Sequence, residues 1–321
     1  MVKLGYKLMT EEHGPADLVR NAVLAEQAGF DFVSISDHFH PWLKAQGHAP
    51  FAWSVLGAIA HATSRIGLAT GLTCPILRYH PAIIAQAAAT IAVMSQGRFV
   101  LALGAGERLN EHVTGARWPA TIERHAMLGE AIDLIRLLWS GGVHSWTGEH
   151  FVLDHAQLFD LPERPIPIVL GVSGDHSVAL AAAKADGIMA TEAKRELVDG
   201  FRRQAGKPGP AYAEALLAYA ASEEEGLRIA HERFRFSPLG WSVNSELPSV
   251  EGFEAATRYV RPEDMKDSLA AGPDVAKHVA AVREYVDAGF DHVVLTAPGP
   301  DQAGFLRFFE TELKPALAAL A

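Results

Sequence analysis

The feature of this chain that most constrains its fold is an alternation of short apolar runs with helical segments from one end to the other. The apolar runs predict eight strands, at residues 2–7, 30–36, 66–73, 98–103, 167–172, 187–190, 214–222 and 291–296. Strands that alternate with helices indicate βαβ units and a parallel sheet. Strands that are apolar throughout are typical of a sheet with both faces covered. About eight such units favour a closed (β/α)8 barrel of the TIM type, with an open doubly wound sheet as the alternative.

The segments between the strands carry the spacing and the end signals of helices. Helices are predicted at residues 17–28, 51–63, 81–94, 122–139, 176–184 and 302–320. Gly29 ends the first helix, and Pro81 begins the third. Two stretches break the alternation. Residues 147–161 predict a small β excursion, and residues 234–268 form a long insertion of the kind that is either a functional lid or a disordered loop.

Length and composition bound the class of protein. The 321 residues exceed the usual length of one domain, but α/β barrels reach about 250 residues or more as one unit. We therefore expect a single barrel domain over residues 1–321 that carries both insertions. Cys74 is the only cysteine, which excludes intrachain disulfides and fits a reducing cytoplasm. The net charge of −10 argues against nucleic acid as a partner, and no apolar run approaches the roughly 20 residues of a membrane span. No signal peptide is expected, because a strand-like segment follows Met1 directly.

In a barrel of this type the active site lies at the carboxyl ends of the strands. The segments that follow the predicted strands are rich in His, Asp, Glu and Trp. They comprise residues 36–42, Cys74 with residues 78–80, residues 104–111, residues 173–177, and Thr191 with Lys194. We expect the functional side chains to come from these segments.

The segment SDHFHPW at residues 36–42 carries the strongest signal. His38 can accept a proton near neutral pH, as a general base must. Asp37 could orient a ring or contact a cofactor, and Trp42 offers a flat apolar wall with one N–H donor. The alternative is that these polar residues only satisfy backbone groups at a strand end. His38 and His40 also suggest a metal site, but no third ligand stands at a plausible spacing, so no metal is predicted.

The segment GAGERLNE at residues 104–111 reads as a glycine-rich turn from strand to helix. Such turns let backbone N–H groups approach a phosphate or an electron-rich ring. It lacks the third glycine of the dinucleotide fingerprint, so it is weak evidence for NAD. Glu107 could hydrogen-bond a cofactor or donate a proton, or it could simply be an acid favoured at a helix N-terminus. Cys74 is assigned no covalent role, because no catalytic partner is evident.

Taken together, five segments resemble one known family. LGYK, SDHFHPW, PILRYHPAIIAQAAAT, GAGERLNE and VVLTAPGPDQAGFL are similar to the coenzyme F420-dependent glucose-6-phosphate dehydrogenase family, which belongs to the luciferase-like superfamily of flavin and deazaflavin barrels. The resemblance covers nearly the whole chain and is weakest in the insertion. It implies a luciferase-like (β/α)8 barrel with insertions, a homodimer, and the deazaflavin coenzyme F420 bound at the strand carboxyl ends.

The resemblance also implies roles for single residues. By the family pattern His38 is the base, Trp42 flanks the reacting carbon, Glu107 is the acid near the deazaflavin ring, and Glu11 lies near the base. Gly71 and Leu72 match a pair joined by a non-proline cis peptide under the ring. The candidate cofactor-binding residues are Asp37, Gly71, Leu72, Cys74, Gly104, Ala105, Gly106, Asn110, Ser173 and Gly174.

Two departures from the family pattern concern the substrate. Enzymes of this family that act on glucose 6-phosphate hold its phosphate with two lysines and an arginine. Lys194 matches the first lysine, Glu246 stands where the second is expected, and Lys266 stands roughly at the arginine. A carboxylate repels a phosphate, and Lys does not replace a bidentate Arg. Another sugar phosphate, or an uncharged alcohol or ketone, is therefore at least as good a prediction.

The sequence thus predicts an F420-dependent oxidoreductase that transfers a hydride between a hydroxyl or carbonyl substrate and the deazaflavin. The physiological direction stays open, because both directions use the same residues. An FMN-dependent luciferase-like monooxygenase is the alternative enzyme, and a cofactor-binding barrel without turnover is the alternative outside enzymes. The combination of His38, Trp42 and Glu107 argues against the last, because a pure binding protein has no need of a positioned base.

Overall fold

The computed structural model describes residues 2–266 and 268–318. Met1, Asp267 and residues 319–321 lie outside the described part, and the end of the helix expected at 302–320 falls there. The strands in the described part are numbered in chain order: β1 Lys3–Leu8, β2 Phe32–Ile35, β3 Gly67–Thr70, β4 Phe99–Leu103, β5 His144–Thr147, β6 Val152–Ala156, β7 Ile168–Gly171, β8 Gly187–Ala190, β9 Ala211–Ala218, β10 Ala270–Ala271 and β11 His292–Thr296.

Eight of these strands close into a parallel barrel. The order around the ring is β9, β11, β1, β2, β3, β4, β7, β8, and β8 returns to β9 through the pairing of Ile188 with Ala211. The short β10 adds to the end of β9, where Ala270 pairs with Leu217. The predicted (β/α)8 barrel is confirmed, and the open doubly wound sheet is excluded because the ring has no edge on these eight strands.

The longer helices cover the outside of the barrel, and all the helices in the described part are numbered in the same way. They are α1 Pro15–Ala28, α2 Ala52–Ala62, α3 Pro81–Met94, α4 Arg108–Glu111, α5 Thr121–Trp139, α6 Asp175–Lys184, α7 Arg195–Ala205, α8 Glu223–Phe234, α9 Trp241–Asn244, α10 Val250–Ala256, α11 Val275–Asp287, α12 Gln302–Phe308 and α13 Lys314–Leu317. Pro15 opens α1, and Gly29 ends it in the left-handed conformation at a φ of 82°. No helix in the described part is both long and apolar enough to cross a membrane.

The largest difference from the sequence prediction concerns the seventh barrel strand. It was expected at residues 214–222 and spans Ala211–Ala218. The strand begins earlier because pairing with β8 starts at Ala211 and pairing with β11 starts at Tyr212. The helices α7, α8 and α11 were not predicted, although they complete the alternation around the ring.

The barrel interior changes from apolar to polar along its axis. Phe32, Tyr212 and Val294 belong to one buried apolar cluster inside the ring. Side chains two positions further along a strand point to the same face. On β1, β2, β9 and β11 these positions hold polar residues, which are Lys7, Ser34, Glu214 and Thr296. Gly5 lies beside Phe32, because a Cβ at Gly5 would be 2.4 Å from the Phe32 ring. The polar layer therefore lies towards the strand carboxyl ends.

The two stretches that break the alternation are both folded. β5 and β6 form an antiparallel hairpin, so the predicted β excursion at 147–161 is present, starting slightly earlier in the chain. In the second stretch, the described residues 234–266 and 268 hold short helices and turns, among them α9 and α10, rather than a disordered loop. Phe236 and Phe253 of this insertion pack on Trp42, so the insertion covers part of the carboxyl end of the barrel.

Candidate active site

The imidazole of His38 lies at the centre of the polar side chains above the barrel. His38 follows β2, and only 9% of its side chain is exposed. Its Nε2 atom is 3.4 Å from Glu11 Oε1, in the loop after β1, and 3.4 Å from Glu107 Oε1, after β4. The barrel thus brings together three side chains that are up to 96 residues apart in the chain. A protonated imidazole at this place is flanked by two negative charges, which stabilise it.

Asn110 fixes the other side of the imidazole. Its Oδ1 accepts the backbone N–H groups of Phe39 at 2.7 Å and His40 at 3.0 Å. Its Nδ2 therefore points to Glu107 Oε1 at 2.6 Å and to His38 Nδ1 at 3.0 Å. The carbonyl oxygen of His40 also lies 3.1 Å from His38 Nδ1. Nδ1 has a donor and an acceptor within reach, so both neutral tautomers of His38 have a partner there.

Glu11 is buried but held in its charged form. Its Oε1 faces His38, and its other carboxylate oxygen accepts the hydroxyl groups of Ser36 and Thr10. Burial alone would raise the pKa of this carboxyl. The charge of His38, the Ser36 hydroxyl and the ammonium of Lys7 outweigh burial, so the pKa of Glu11 lies below its ordinary value.

An apolar wall stands beside His38. The Trp42 ring centroid is 4.9 Å from that of His38. Phe236 stacks on Trp42 at 4.8 Å, and Phe253 meets it edge-on at 5.0 Å. Gln46 Oε1 accepts the Trp42 backbone N–H at 2.9 Å, which fixes the start of this loop. The wall excludes water from one side of His38, so charges there interact more strongly than at the surface.

Asp37, next to His38, faces away into a buried network. Its carboxylate is fully buried and accepts the hydroxyl groups of Thr73 at 2.8 Å and Tyr79 at 3.0 Å. Arg78 lies 3.2 Å from the same carboxylate and 3.6 Å from Glu111. Burial raises the pKa of Glu111 to about 7 despite the charge of Arg78. The carboxylate of Asp37 thus has three side-chain partners within the protein. The expected contact of Asp37 with a cofactor stays a prediction.

A flat apolar surface lies at the ends of β3, β4 and β7. The Gly71–Leu72 peptide bond is cis, as the resemblance implied. The side chain of Leu72 spreads over Gly104 and Gly171, where a Cβ would lie 3.1 Å and 2.5 Å from Leu72 Cδ1. A Cβ at Gly171 would displace the end of the Leu72 side chain, and one at Gly104 would press on it.

The loop from Gly104 to Glu107 packs closely on Cys74. Gly106 has a φ of 78°, and a Cβ there would lie 2.6 Å from Cys74 Sγ. Ala105 is half-buried in the same turn. Burial, together with Glu111 and Glu107, raises the pKa of the Cys74 thiol. The thiol is therefore protonated near neutral pH, which agrees with the absence of a covalent role for Cys74.

The turn at Ser173 and Gly174 begins α6. Ser177 Oγ accepts the backbone N–H groups of both residues, at 3.0 Å and 3.2 Å. No atom lies within 4 Å of a Cβ placed on Gly174, so there is open space above the turn. The N–H groups of the first helical turn have no partner within the helix, and such a helix start is suited to an anionic group.

The three residues expected to bind substrate have separate partners in the described part of the chain. Lys194 is exposed and pairs with Glu192 at 2.9 Å. Lys266 is also exposed and lies 3.8 Å from Glu223. Neither lysine contacts Glu246, so no ion pair among the described residues joins the three into one cluster.

Glu246 anchors the insertion to the barrel. One of its carboxylate oxygens accepts the Trp118 indole N–H at 2.8 Å, and the other lies 3.2 Å from Arg124 Nη2. The Arg124 guanidinium stacks on the Trp118 ring at 4.0 Å. The backbone N–H of Arg108 donates to the carbonyl of Ser245 at 2.9 Å. These contacts fix the insertion directly above the segment that carries Glu107.

Sequence reasoning missed the polar layer inside the barrel, which lies directly below the site. Lys7, Glu214 and Thr296 are joined there by hydrogen bonds of 2.7–2.8 Å. A charged residue inside the first apolar strand was the available signal, because a buried Lys requires a partner. Phe236 and Phe253 gave no signal, because only folding brings the insertion onto Trp42.

Comparison with known proteins gives the family. A family model described as luciferase-like monooxygenase matches residues 2–292. The F420-dependent glucose-6-phosphate dehydrogenase of Tsukamurella paurometabola is 38% identical, with 99% of each chain covered. The enzyme of the same name from Rhodococcus erythropolis is 38% identical over 99% of this chain and 98% of its own.

Solved structures agree with this assignment. An F420-dependent secondary alcohol dehydrogenase in complex with an F420-acetone adduct superposes with a TM-score of 0.91 at 28% identity, covering 98% of this chain and 99% of its own. A coenzyme F420-dependent tetrahydromethanopterin reductase from Methanopyrus kandleri, at 20% identity and a TM-score of 0.76, shares the fold, with 98% of this chain and 99% of its own covered. The chain therefore belongs to the F420-dependent glucose-6-phosphate dehydrogenase-like family of luciferase-like oxidoreductases.

Proposed function

We propose that the protein transfers a hydride between coenzyme F420 and a hydroxyl or carbonyl substrate, with His38 as the general base. As a member of its family, the chain is an F420-dependent oxidoreductase acting on CH–OH groups. One observation carries the finer proposal. The Nε2 atom of His38 faces two carboxylates, Glu11 and Glu107, at the rim of a flat surface formed by Leu72 and its neighbouring glycines.

Coenzyme F420, when bound, supplies a two-electron acceptor or donor of hydride. In alcohol oxidation, His38 would accept the hydroxyl proton at Nε2, and the carbon that bears the hydroxyl would give its hydride to the bound coenzyme. The tautomer that donates from Nδ1 to the His40 carbonyl leaves Nε2 free to take this proton. The resulting imidazolium lies between Glu11 and Glu107. In carbonyl reduction the same Nε2 proton returns to the substrate oxygen.

The cofactor-binding residues proposed here are those that the family resemblance implies, and the shape and donors of the site support them. Leu72, with Gly71 and Gly104, would support one face of the ring, and Glu107 would hold a proton beside it. The loop of Gly104, Ala105 and Gly106 would line the ring edge. The start of α6, at Ser173 and Gly174, would face the anionic part of the coenzyme.

For the substrate we propose an uncharged secondary alcohol or ketone. The wall beside His38 is aromatic, formed by Trp42, Phe236 and Phe253. Lys194 and Lys266 already pair with carboxylates, and Glu246 is itself negative. A phosphate that lacks two charge-assisted contacts of about 1.5–3 kcal/mol each binds roughly 100-fold or more weakly. Glucose 6-phosphate, the substrate in the names of the relatives, is therefore expected to be poor for this chain.

A titration and an assay test the proposal. Purified protein is titrated separately with F420 and with FMN, and the loss of cofactor fluorescence is followed. F420 reduction is then measured with 2-propanol and with glucose 6-phosphate. We expect tight binding of F420, weak binding of FMN, and turnover with 2-propanol at a kcat/KM at least 100-fold above that for glucose 6-phosphate. Tighter binding of FMN would favour the monooxygenase instead, and efficient use of glucose 6-phosphate would refute the substrate assignment.

The homodimer and the cytoplasmic location stay predictions. The outer face of α3 supports a second copy as partner, because Ile83, Val93 and Met94 are exposed there.

A further inference from the structure

Lys7 occupies an unusual place directly below the candidate active site. Its ammonium is inside the barrel, with 7% of the side chain exposed. It donates to Glu214 Oε2 at 2.7 Å and to the carbonyl oxygen of Gly71 at 2.9 Å. Glu214 is held in turn by the Thr296 hydroxyl, at 2.8 Å from its other oxygen. Strands β1, β9 and β11 are thereby joined to the segment that follows β3.

We propose that Lys7 is a positioning residue for the reaction. Its ammonium holds the Gly71 carbonyl from below, which fixes the Leu72 surface on which the deazaflavin ring rests. The inference rests on the proposed function, because it takes this surface as the place of the ring.

The hydrogen bonds around Gly71 support this proposal. The Gly71 N–H donates to the Ile35 carbonyl at 2.7 Å, and the Thr73 N–H donates to the Ala102 carbonyl at 3.0 Å. The Gly71 carbonyl points the other way, into the barrel, to Lys7. An uncharged residue in place of Lys7 would leave this carbonyl and Glu214 without their common donor in a buried place, which is unfavourable for both. The segment would then shift, and Leu72 with it.

The first experiment reads the position of Gly71 in the protein without cofactor. The sequence contains three Gly–Leu pairs, Gly67–Leu68, Gly71–Leu72 and Gly226–Leu227. Labelling with carbonyl-13C glycine and 15N leucine gives one NMR cross-peak for each pair. We expect Lys7→Met to shift the Gly71–Leu72 peak and to leave the other two in place.

Arg98→Met is the matched control, because Arg98 is also a partly buried cation that bonds to backbone carbonyls. Its side chain donates to the carbonyls of Ile66 and Thr63, and its own carbonyl accepts the Leu68 N–H. This variant should shift the Gly67–Leu68 peak and leave the Gly71–Leu72 peak unchanged. If Lys7→Met does not fold, Glu214→Gln is examined instead, and a smaller shift of the same Gly71–Leu72 peak is expected.

The second experiment measures function. F420 should bind Lys7→Met, or Glu214→Gln, about tenfold more weakly than the wild type. Arg98→Met should leave the F420 affinity unchanged. An unmoved Gly71–Leu72 peak, or a moved peak with unchanged F420 affinity, would overturn the proposal. If the wild type itself does not bind F420, the proposed function fails, while the NMR result still decides whether Lys7 holds Gly71.

Discussion

The loop after β1 holds two neighbouring glutamates, Glu11 and Glu12, whose pKa values are shifted in opposite directions. Glu11 faces the strand ends and His38. Glu12, the next residue, faces away, where it accepts the Gly299 N–H at 3.1 Å and lies 3.5 Å from Arg233 Nε. Glu12 and its neighbour His13 line a separate cavity of about 310 Å³. The two neighbouring glutamates therefore point into two different environments.

The difference lies in the partners and not in the degree of burial, since both glutamates are buried. Charges and hydroxyl groups hold the pKa of Glu11 below its ordinary value. Burial dominates for Glu12 and raises its pKa to about 7, and burial lowers the pKa of His13 to about 4. Glu11 can stabilise a proton on His38 Nε2 during the reaction. Glu12 and His13, in contrast, each favour the uncharged form. Only the first pair is expected to serve catalysis.

The largest expected effect is the difference in kcat between the His38 and His13 variants. His38→Ala should lower kcat for 2-propanol oxidation by about 10²–10⁴, which is the usual range for loss of general base catalysis. His13→Ala should leave kcat within about threefold. Steady-state kinetics at saturating F420 measure both, and F420 affinity serves as the control for an intact site. Similar losses in the two variants would show that the comparison is mistaken.

The second prediction concerns the free energy of unfolding, whose pH dependence Glu12 and His13 should both affect. The folded state raises the pKa of Glu12, so it binds more protons than the unfolded state between pH 4.5 and about 7, and stability falls as pH rises through this range. The shift corresponds to roughly 3 kcal/mol, at about 1.4 kcal/mol for each pH unit. His13 has a lowered pKa, so its contribution to stability rises with pH between about 4 and 6.5.

The two slopes oppose each other in the wild type, and single substitutions should separate them. Relative to the wild type, Glu12→Gln should gain stability as pH rises from 4.5 to about 7, because the Glu12 slope is removed. His13→Gln should lose stability relative to the wild type as pH rises from about 4 to 6.5, because the His13 slope is removed. Urea unfolding at several pH values measures the free energy of unfolding. Parallel curves for the wild type and both variants would contradict the assigned protonation states.

The smallest expected effect is the difference in kcat/KM between the Glu11 and Glu12 variants. Glu11→Gln removes one of the two carboxylates that flank the His38 imidazolium, while Glu107 still faces it. We expect kcat/KM for 2-propanol to fall about tenfold, which is the loss of about 1.4 kcal/mol. Glu12→Gln in the same assay at pH 7.5 should change kcat/KM by less than about twofold. Equal effects of the two substitutions would remove the special role of Glu11.

The extent to which the site could be predicted differs from residue to residue. His38, Trp42 and Glu107 were identified because polar residues directly after apolar strands must meet at one end of a parallel barrel. Glu11 was placed near His38 only through the family resemblance, since nothing in the sequence EEH distinguishes it from Glu12. The partners of Glu246, Arg124 and Trp118, were beyond sequence reasoning, because they depend on how the insertion folds back.

The sequence by itself determined the barrel and the end of it that carries the site, because the periodicity of apolar runs is a local property of the chain. Tertiary structure alone decided the exact start of β9, because strand pairing with β8 and β11 sets it. It also decided the charge states of Glu11 and Glu12. A pKa depends on the charges and donors within a few ångströms of a group, and in a closed barrel these come from strands far apart in the chain.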